Sequence, residues 1–444
     1  MGTLFGTDGI RGKVNTFPMT CEIALNTGRA VGQWVADNGY GSVIIAKDTR
    51  ISGDMLEAAI SAGLNSVGIN SVQAGILPTP GLAFLCKNIS DAGAGIVVSA
   101  SHNPYQDNGI KIFDSNGNKL SDEAETSLEK SILDDRQLTG DNIGKTETLS
   151  DGPELYAQFL LSKFDIGKYN RHIKLIIDCS NGAASQIAPM VFDIFSNIHI
   201  INDKPDGTNI NKDCGSQYTD RLKKEVLEKK ADLGLAFDGD ADRLIAIDET
   251  GAEVAGDRIL AVCAQYARQK NLLKNNIVVS TIMSNVGLSE FLSNQGIKHV
   301  RADVGDRKVL EEMKKHGAVL GGEDSGHMIF LDQHTTGDGL LSALNLLKVI
   351  ICTGQPLSKL ANAIKLYPQI LKNVQVHETA TDIMKIDSIY AIIKKVEKQL
   401  GNKGRVLIRY SGTQPLLRVM VEGPDYDEIS GYCKDICEAV RHAL

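Results

Sequence analysis

Apolar runs rich in Val, Ile and Leu alternate with longer, helix-periodic segments through about the first 365 residues, which predicts α/β units. One pattern repeats along that stretch. An apolar run stops abruptly at small polar or charged residues, twice in each of three regions. These are VIIAKDTR and GIVVSASHNP, then KLIIDCSNGA and LGLAFDGDADR, then IVVSTIMSN and AVLGGEDSGH. A buried strand ending this way puts a loop at the carboxyl edge of its sheet, where open α/β sheets bind ligands. Three similar α/β domains are therefore expected, each with two such loops. The boundaries are read as 1–153, 154–255, 256–367 and 368–444. The first follows a charged segment closing in Asp151-Gly152-Pro153, the second falls near Gly251–Asp257, and the third at Tyr367-Pro368, since Pro368 disfavours helix at the residue before it. The last unit reads as smaller and α+β, with a helix near 383–400, strands at RVLIRY and LLRVMVEG, and an amphipathic helix from Asp425.

Composition adds limits. The 444 residues are 42% hydrophobic and 23% charged with no biased tract, which suits a globular chain with several cores. The formal charge of −8 argues against sequence-independent nucleic-acid binding, so cations for a phosphate ligand must be gathered locally. None of the eight Cys forms a C-x-x-C pair or a zinc-type cluster, so free thiols in a reducing compartment are expected. The start, MGTLFGTDGIRGK, has no basic stretch leading into an apolar run, and LLSALNLLKVIICTG is short and broken by Lys348. The expected setting is cytoplasmic, with neither membrane nor nucleic acid as partner.

Four loops carry candidate chemistry. In FDGDADR, Asp238, Asp240 and Asp242 alternate, and an extended loop would aim all three the same way. Converging carboxylates repel unless a cation lies between them, and hard oxygen ligands suit Mg²⁺ or Ca²⁺. An EF-hand is excluded, because Arg243 stands where its glycine is needed and both flanks read as strands. An aspartyl-phosphate phosphatase remains a rival. In SASHNPYQDNGIKIF, Ser101 and His102 follow a buried-strand pattern, Asn103-Pro104 imposes a turn, and Lys111 lies on the next strand. For that serine alone a turn or capping hydroxyl is the plainer reading, and for His102 a satisfied turn histidine. In GGEDSGH, Glu323, Ser325 and His327 set an acceptor, a hydroxyl and an imidazole at alternate positions, which suits sugar hydroxyls or an ordinary polar turn. In RYSGTQP, Arg409, Ser411 and Thr413 surround Gly412, with Arg418 on the following strand. That set can cradle a phosphate or simply close a hairpin.

These motifs stand in one order: FGTDGIRG, SASHNP-x₃-NG-x-K, DGDADR, VGDR, GGEDSGH, TTGDGLLSAL, YPQILKNV and RYSGTQP. On them the sequence resembles the α-D-phosphohexomutase family over nearly its whole length. The resemblance implies three similar mixed-sheet α/β domains and a smaller α+β C-terminal domain around a central cleft. It implies phosphoserine at Ser101 and one Mg²⁺ on Asp238, Asp240 and Asp242, with a phosphoserine oxygen as a further ligand. Arg11, Lys111 and Arg243 would sit near the transferred phosphate, with His102 also in the catalytic set. Lys111, its pKa lowered among cations, or His327 would be the base. Glu323, Ser325 and His327 would bind the sugar, and Arg409, Ser411, Gly412, Thr413 and Arg418 the other phosphate.

The implied reaction is exchange between glucosamine 6-phosphate and glucosamine 1-phosphate through a 1,6-bisphosphate, feeding UDP-N-acetylglucosamine and cell-wall precursor synthesis. Priming would come from glucosamine or glucose 1,6-bisphosphate or from autophosphorylation. Mannose or glucose phosphates are the alternative substrates, and a non-enzymatic metal- or sugar-phosphate-binding protein the remote one. The sugar phosphate is the expected partner, and the chain is expected to be a monomer or homodimer, with a hinge near Tyr367–Asn373. Three positions depart from the family pattern. Gln414 replaces the usual Glu, and Asp303 and Lys308 flank VGDR, where no role is assigned to them.

Overall fold

The computed structural model describes residues 4–6, 8–134, 140–165, 172–376, 382–410 and 416–443. The first sheet holds β1 (Phe5–Gly6), β2 (Gly9–Lys13), β3 (Ser42–Lys47), β4 (Asn70–Ile76), β5 (Ala92–Val98), β6 (Asp107–Asp114) and β7 (Thr146–Thr148), in the order β1-β2-β6-β5-β3-β4-β7. The second holds β8 (Lys174–Asp178), β9 (Asn197–Ile201), β10 (Leu233–Phe237), β11 (Leu244–Asp248) and β12 (Glu253–Val254), in the order β12-β11-β10-β8-β9. The third holds β13 (Ile277–Thr281), β14 (Lys298–Ala302), β15 (Leu320–Gly322) and β16 (Met328–Phe330), in the order β14-β13-β15-β16.

The repeat read from the sequence is visible in these orders. Each sheet contains β4-β3-β5-β6 or its counterpart, β9-β8-β10-β11 or β14-β13-β15-β16. In each, the first three strands run parallel and the fourth turns back antiparallel. The loops SASHNP, DGDADR and EDSGH thus occupy one topological position three times, between a central parallel strand and its antiparallel neighbour. The central strands are buried along their full length, which is why they read as unbroken apolar runs.

By contacts the chain forms two compact units, 1–283 with 297–362, and 284–296 with 363–444. The second is built on β17 (Gln369–Gln375), β18 (Arg405–Tyr410) and β19 (Leu416–Glu422), an antiparallel sheet in the order β17-β19-β18. Helices Asp387–Leu400 and Tyr426–Ala443 bury Ile389, Ile393, Ile429, Cys433 and Val440 in its core. Helix Val286–Asn294 belongs to this unit. The Asn285 side chain both donates to the Tyr367 carbonyl and accepts from the Tyr367 amide, each at 2.9 Å, and the Val286 amide donates to Glu422 at 2.7 Å. Tyr367 is therefore locked inside the unit rather than hinging it. The chain instead crosses between units after Met283, Gly296 and Asn362.

All eight cysteines are free, six of them buried. Among the described residues, no helix is long and apolar enough to cross a membrane.

Candidate active site

Ser101 begins the turn after β5 in the left-handed region, φ 51°, a conformation costly for a residue with a side chain. The Asn103 amide bonds the Ala100 carbonyl at 3.1 Å, which makes the turn expected from Asn103-Pro104. Ser101 is 1% exposed, and its hydroxyl donates to Asp238 Oδ2 at 2.5 Å, with His102 Nδ1 at 3.2 Å. Burial and the nearby Arg243 and Arg11 push His102 down to about 4, so its ring is neutral at pH 7.

The metal loop differs from the extended form expected. It is a tight turn, with the Ala241 amide bonded to the Asp238 carbonyl at 3.1 Å and Ala241 at φ 55°. The carboxylates converge all the same. Asp238, Asp240 and Asp242 are buried and each offers an oxygen within 4.8 Å of the others. Burial and the neighbouring Asp242 and Asp240 push Asp238 well up. Burial works the same way on Asp242, but Lys111, His327 and Arg243 outweigh it and hold that carboxyl well down. Asp240 Oδ2 accepts from Thr79 Oγ1 at 2.6 Å and Lys111 Nζ at 2.7 Å, while Oδ1 of Asp240 and Oδ1 of Asp242 are buried without hydrogen-bond partners. Orphaned carboxylate oxygens in a converging hard-oxygen set fit Mg²⁺. Gly239 permits the close approach of the two loops, since a Cβ there would lie 2.5 Å from the Ser101 carbonyl oxygen.

Lys111, on β6, is buried with its ammonium 2.7 Å from Asp240, 3.1 Å from Asp8 and 3.7 Å from Asp242. Burial alone would lower its pKa, but these carboxylates raise it well above the ordinary value. The expectation of a lowered pKa is thus corrected, because carboxylates rather than cations surround the ammonium. Arg11 pairs with Asp8, and its buried Nε has no hydrogen-bond partner. Arg243 gives its amide to Asp238 Oδ1 at 3.2 Å and pairs by a β-bridge with His327, tying the turn after β10 to the loop after β15. His327 lies with Nδ1 3.6 Å from Asp242 and Nε2 3.8 Å from Asp306. Burial would depress its pKa, but Asp242 raises it overall. Gly337 of TTGDG closes against this imidazole, where a Cβ would overlap the ring at 2.1 Å.

Glu323 and Ser325 are half-buried. Glu323 Oε1 accepts from the Gly305 amide at 3.2 Å, and Ser325 Oγ has no hydrogen-bond partner. In the C-terminal unit, Arg409 and Arg418 face each other as cross-strand partners on β18 and β19. Ser411, Gly412 and Thr413 lie outside the described residues.

Several polar groups at the site were not singled out from sequence. Asp8 joins Arg11, Lys111 and Lys119, and Lys119 also pairs with Asp306. Asp8 lies in FGTDGIRG and Asp306 in VGDR, so motif membership was a signal for both, whereas Lys119 lies in no motif.

Family models match in order along the chain: phosphoglucomutase/phosphomannomutase α/β/α domain I over residues 2–139, domain II over 154–251, domain III over 255–367 and the C-terminal domain over 371–439. A phosphoglucosamine mutase of Desulforapulum autotrophicum is 53% identical over 100% of both chains. A phosphoglucomutase/phosphomannomutase family protein of Burkholderia thailandensis superposes with a TM-score of 0.84 at 25% identity, covering 98% of this chain and 96% of that one. An N-acetylphosphoglucosamine mutase of Aspergillus fumigatus, solved with GlcNAc-6P and magnesium, shares the fold at a TM-score of 0.71 and 19% identity, covering 99% and 96%. With four domain matches in sequence order and a full-length relative above half identity, the chain belongs to the phosphoglucomutase/phosphomannomutase family, the α-D-phosphohexomutases.

Proposed function

We propose that this chain interconverts glucosamine 6-phosphate and glucosamine 1-phosphate, with Ser101 as carrier of the phosphoryl group. The observation that carries this reading is the Ser101 hydroxyl at 2.5 Å from Asp238, with Lys111, Arg11 and Arg243 gathered around the same three-carboxylate cluster. The phosphoryl group passes from Ser101 Oγ to the free hydroxyl of the sugar phosphate. The Oγ–P bond breaks as the new O–P bond forms, the sugar hydroxyl gives up a proton and the serine oxygen regains one. The 1,6-bisphosphate then turns and returns its other phosphate to Ser101.

Asp238, Asp240 and Asp242 would hold Mg²⁺, with a phosphoserine oxygen as a further ligand, and the ion would offset charge on the transferred group. Lys111, Arg11 and Arg243 supply fixed positive charge there, and Lys111 or His327 is the candidate for the base that takes the sugar hydroxyl's proton. Glu323, Ser325 and His327 meet the ring hydroxyls, and Arg409 and Arg418, with Ser411, Gly412 and Thr413, hold the phosphate not in transfer. Ser101 gains its first phosphate from a sugar 1,6-bisphosphate or by autophosphorylation. The full-length relative named for phosphoglucosamine supports the amino sugar over mannose or glucose. The test is an isomerase assay of phosphorylated enzyme with Mg²⁺ and glucosamine, glucose and mannose 6-phosphates side by side. The highest kcat/KM is expected with the amino sugar. A mannose preference would move the chain to another branch of the family, and no turnover with any of them would overturn the reading.

A further inference from the structure

Arg50 follows β3 and is 3% exposed, yet it takes no part in the chemistry described above. Its guanidinium is spent on the backbone of the Ser101 loop. One terminal nitrogen donates to the carbonyls of Ser101 at 3.0 Å and Asn103 at 2.8 Å, and the other to those of Pro104 and Asp107. Its Nε donates to Asp48 Oδ2 at 2.9 Å. The same oxygen accepts from Ser99 Oγ at 2.6 Å, and Ser99 Oγ in turn accepts the Ser101 amide at 3.0 Å. From the second sheet's domain, Asn211 donates to the Ser101 and Asn103 carbonyls again, at 2.8 and 3.0 Å. A guanidinium is rigid, always charged and carries five directed donors, so it can fix several carbonyls at once where an ammonium cannot. The backbone it fixes is the one that holds Ser101 at φ 51°. A non-glycine residue persists in that region only when its surroundings over-determine it.

We infer that Arg50, seconded by Asn211, is a positioning residue for the nucleophile, clamping the Ser101 loop so that the hydroxyl stays aimed at the metal cluster. The inference rests on Ser101 being the phosphoryl carrier. It assigns Arg50 no contact with the sugar or the metal. Loosening the clamp should therefore lower kcat while leaving the affinity for sugar phosphate in place.

The test uses full-length Arg50→Lys, Arg50→Ala and Asn211→Ala, each primed with glucose 1,6-bisphosphate. For both Arg50 variants kcat is expected to fall about a hundredfold, the scale of a ~1 Å misplacement of a reacting group. KM should stay within about twofold, since uniform binding is untouched. Asn211→Ala, which leaves the guanidinium in place, should lose about tenfold in kcat. Methylguanidinium should restore part of the kcat of Arg50→Ala and none of that of Arg50→Lys, where the ammonium fills the space. Unchanged kcat in the Arg50 variants would overturn the inference, as would a loss shared equally by KM, or one insensitive to methylguanidinium. If Arg50→Ala does not fold, unchanged kcat in Arg50→Lys and Asn211→Ala overturns it equally. Wild-type enzyme with no phosphate on Ser101 would instead overturn the proposed function, so the two failures are distinguishable.

Discussion

The loops after β5 and β15 occupy the same place in related sheets, yet they are finished to different degrees. The β5 loop is complete as it stands. Ser101 is buried, its amide, carbonyl and hydroxyl all have partners, and it docks on the buried metal turn after β10. The β15 loop is open, with Glu323 and Ser325 half-buried and the Ser325 hydroxyl unpaired. An unpaired buried hydroxyl costs about 1–3 kcal/mol until something bonds it. The contrast separates two tasks. The groups proposed to hold the phosphoryl group are preorganised, which lowers a barrier without reorganisation at the moment of reaction. Those proposed to hold the sugar are left for the sugar to complete.

Substitutions can break this contrast or sharpen it. Ser101→Ala should lose mutase turnover by at least about 10⁴-fold, the scale of removing a covalent nucleophile, because no other group can hold the phosphate between half-reactions. Activity near wild type in a steady-state assay would place the chemistry elsewhere. Asp240→Asn should lower kcat by about 10²–10³-fold and weaken Mg²⁺ binding measured by titration calorimetry. Excess chelator should abolish wild-type turnover, and its failure to do so would remove the metal from the account. Glu323→Ala should reduce kcat/KM by about tenfold for every hexose phosphate tried while leaving phosphate on Ser101 unchanged. A loss of the phosphoserine would show that the β15 loop shares the first task.

The smallest effect concerns stability. Asp338, the buried cap of helix Gly339–Thr353, accepts from Tyr156 Oη at 2.8 Å and from the Leu341 amide at 2.9 Å. Burial raises its pKa to about 7. The folded state therefore binds the proton more tightly than the unfolded one, so this stability is present below the ordinary carboxylate range and is lost as pH rises through about 7. Asp338→Asn keeps an acceptor for the cap and removes the titration. Melting curves should show wild type losing stability relative to the variant from pH 5 to pH 8, whereas parallel curves would contradict the assignment.

The repeated strand-and-loop units were legible because a buried parallel strand writes itself as an apolar run, and a ligand loop as its sudden polar end. The convergence of the three Asp was expected from their alternation, whereas the gathering of Ser101 and Lys111 with them was implied only by the family resemblance. The clamp and the charge network were not legible. Lys119 meets Asp306 across 187 positions and Asn211 meets Ser101 across 110, and no local pattern announces such a pair. The turn at Ala241 was missed because a left-handed alanine carries no composition signal of the kind glycine gives. The same limit put the hinge at Tyr367, whose lock, Asn285, lies 82 positions away.

Phosphate mapping on the isolated enzyme tests the central claim most directly. Enzyme primed with labelled glucose 1,6-bisphosphate is treated with acid, alkali or hydroxylamine, and the labelled peptide is sequenced. Label is expected on Ser101 that survives acid, is lost in alkali, resists hydroxylamine and is absent from Ser101→Ala. Hydroxylamine-labile label on Asp238, or undiminished label in Ser101→Ala, would contradict that claim.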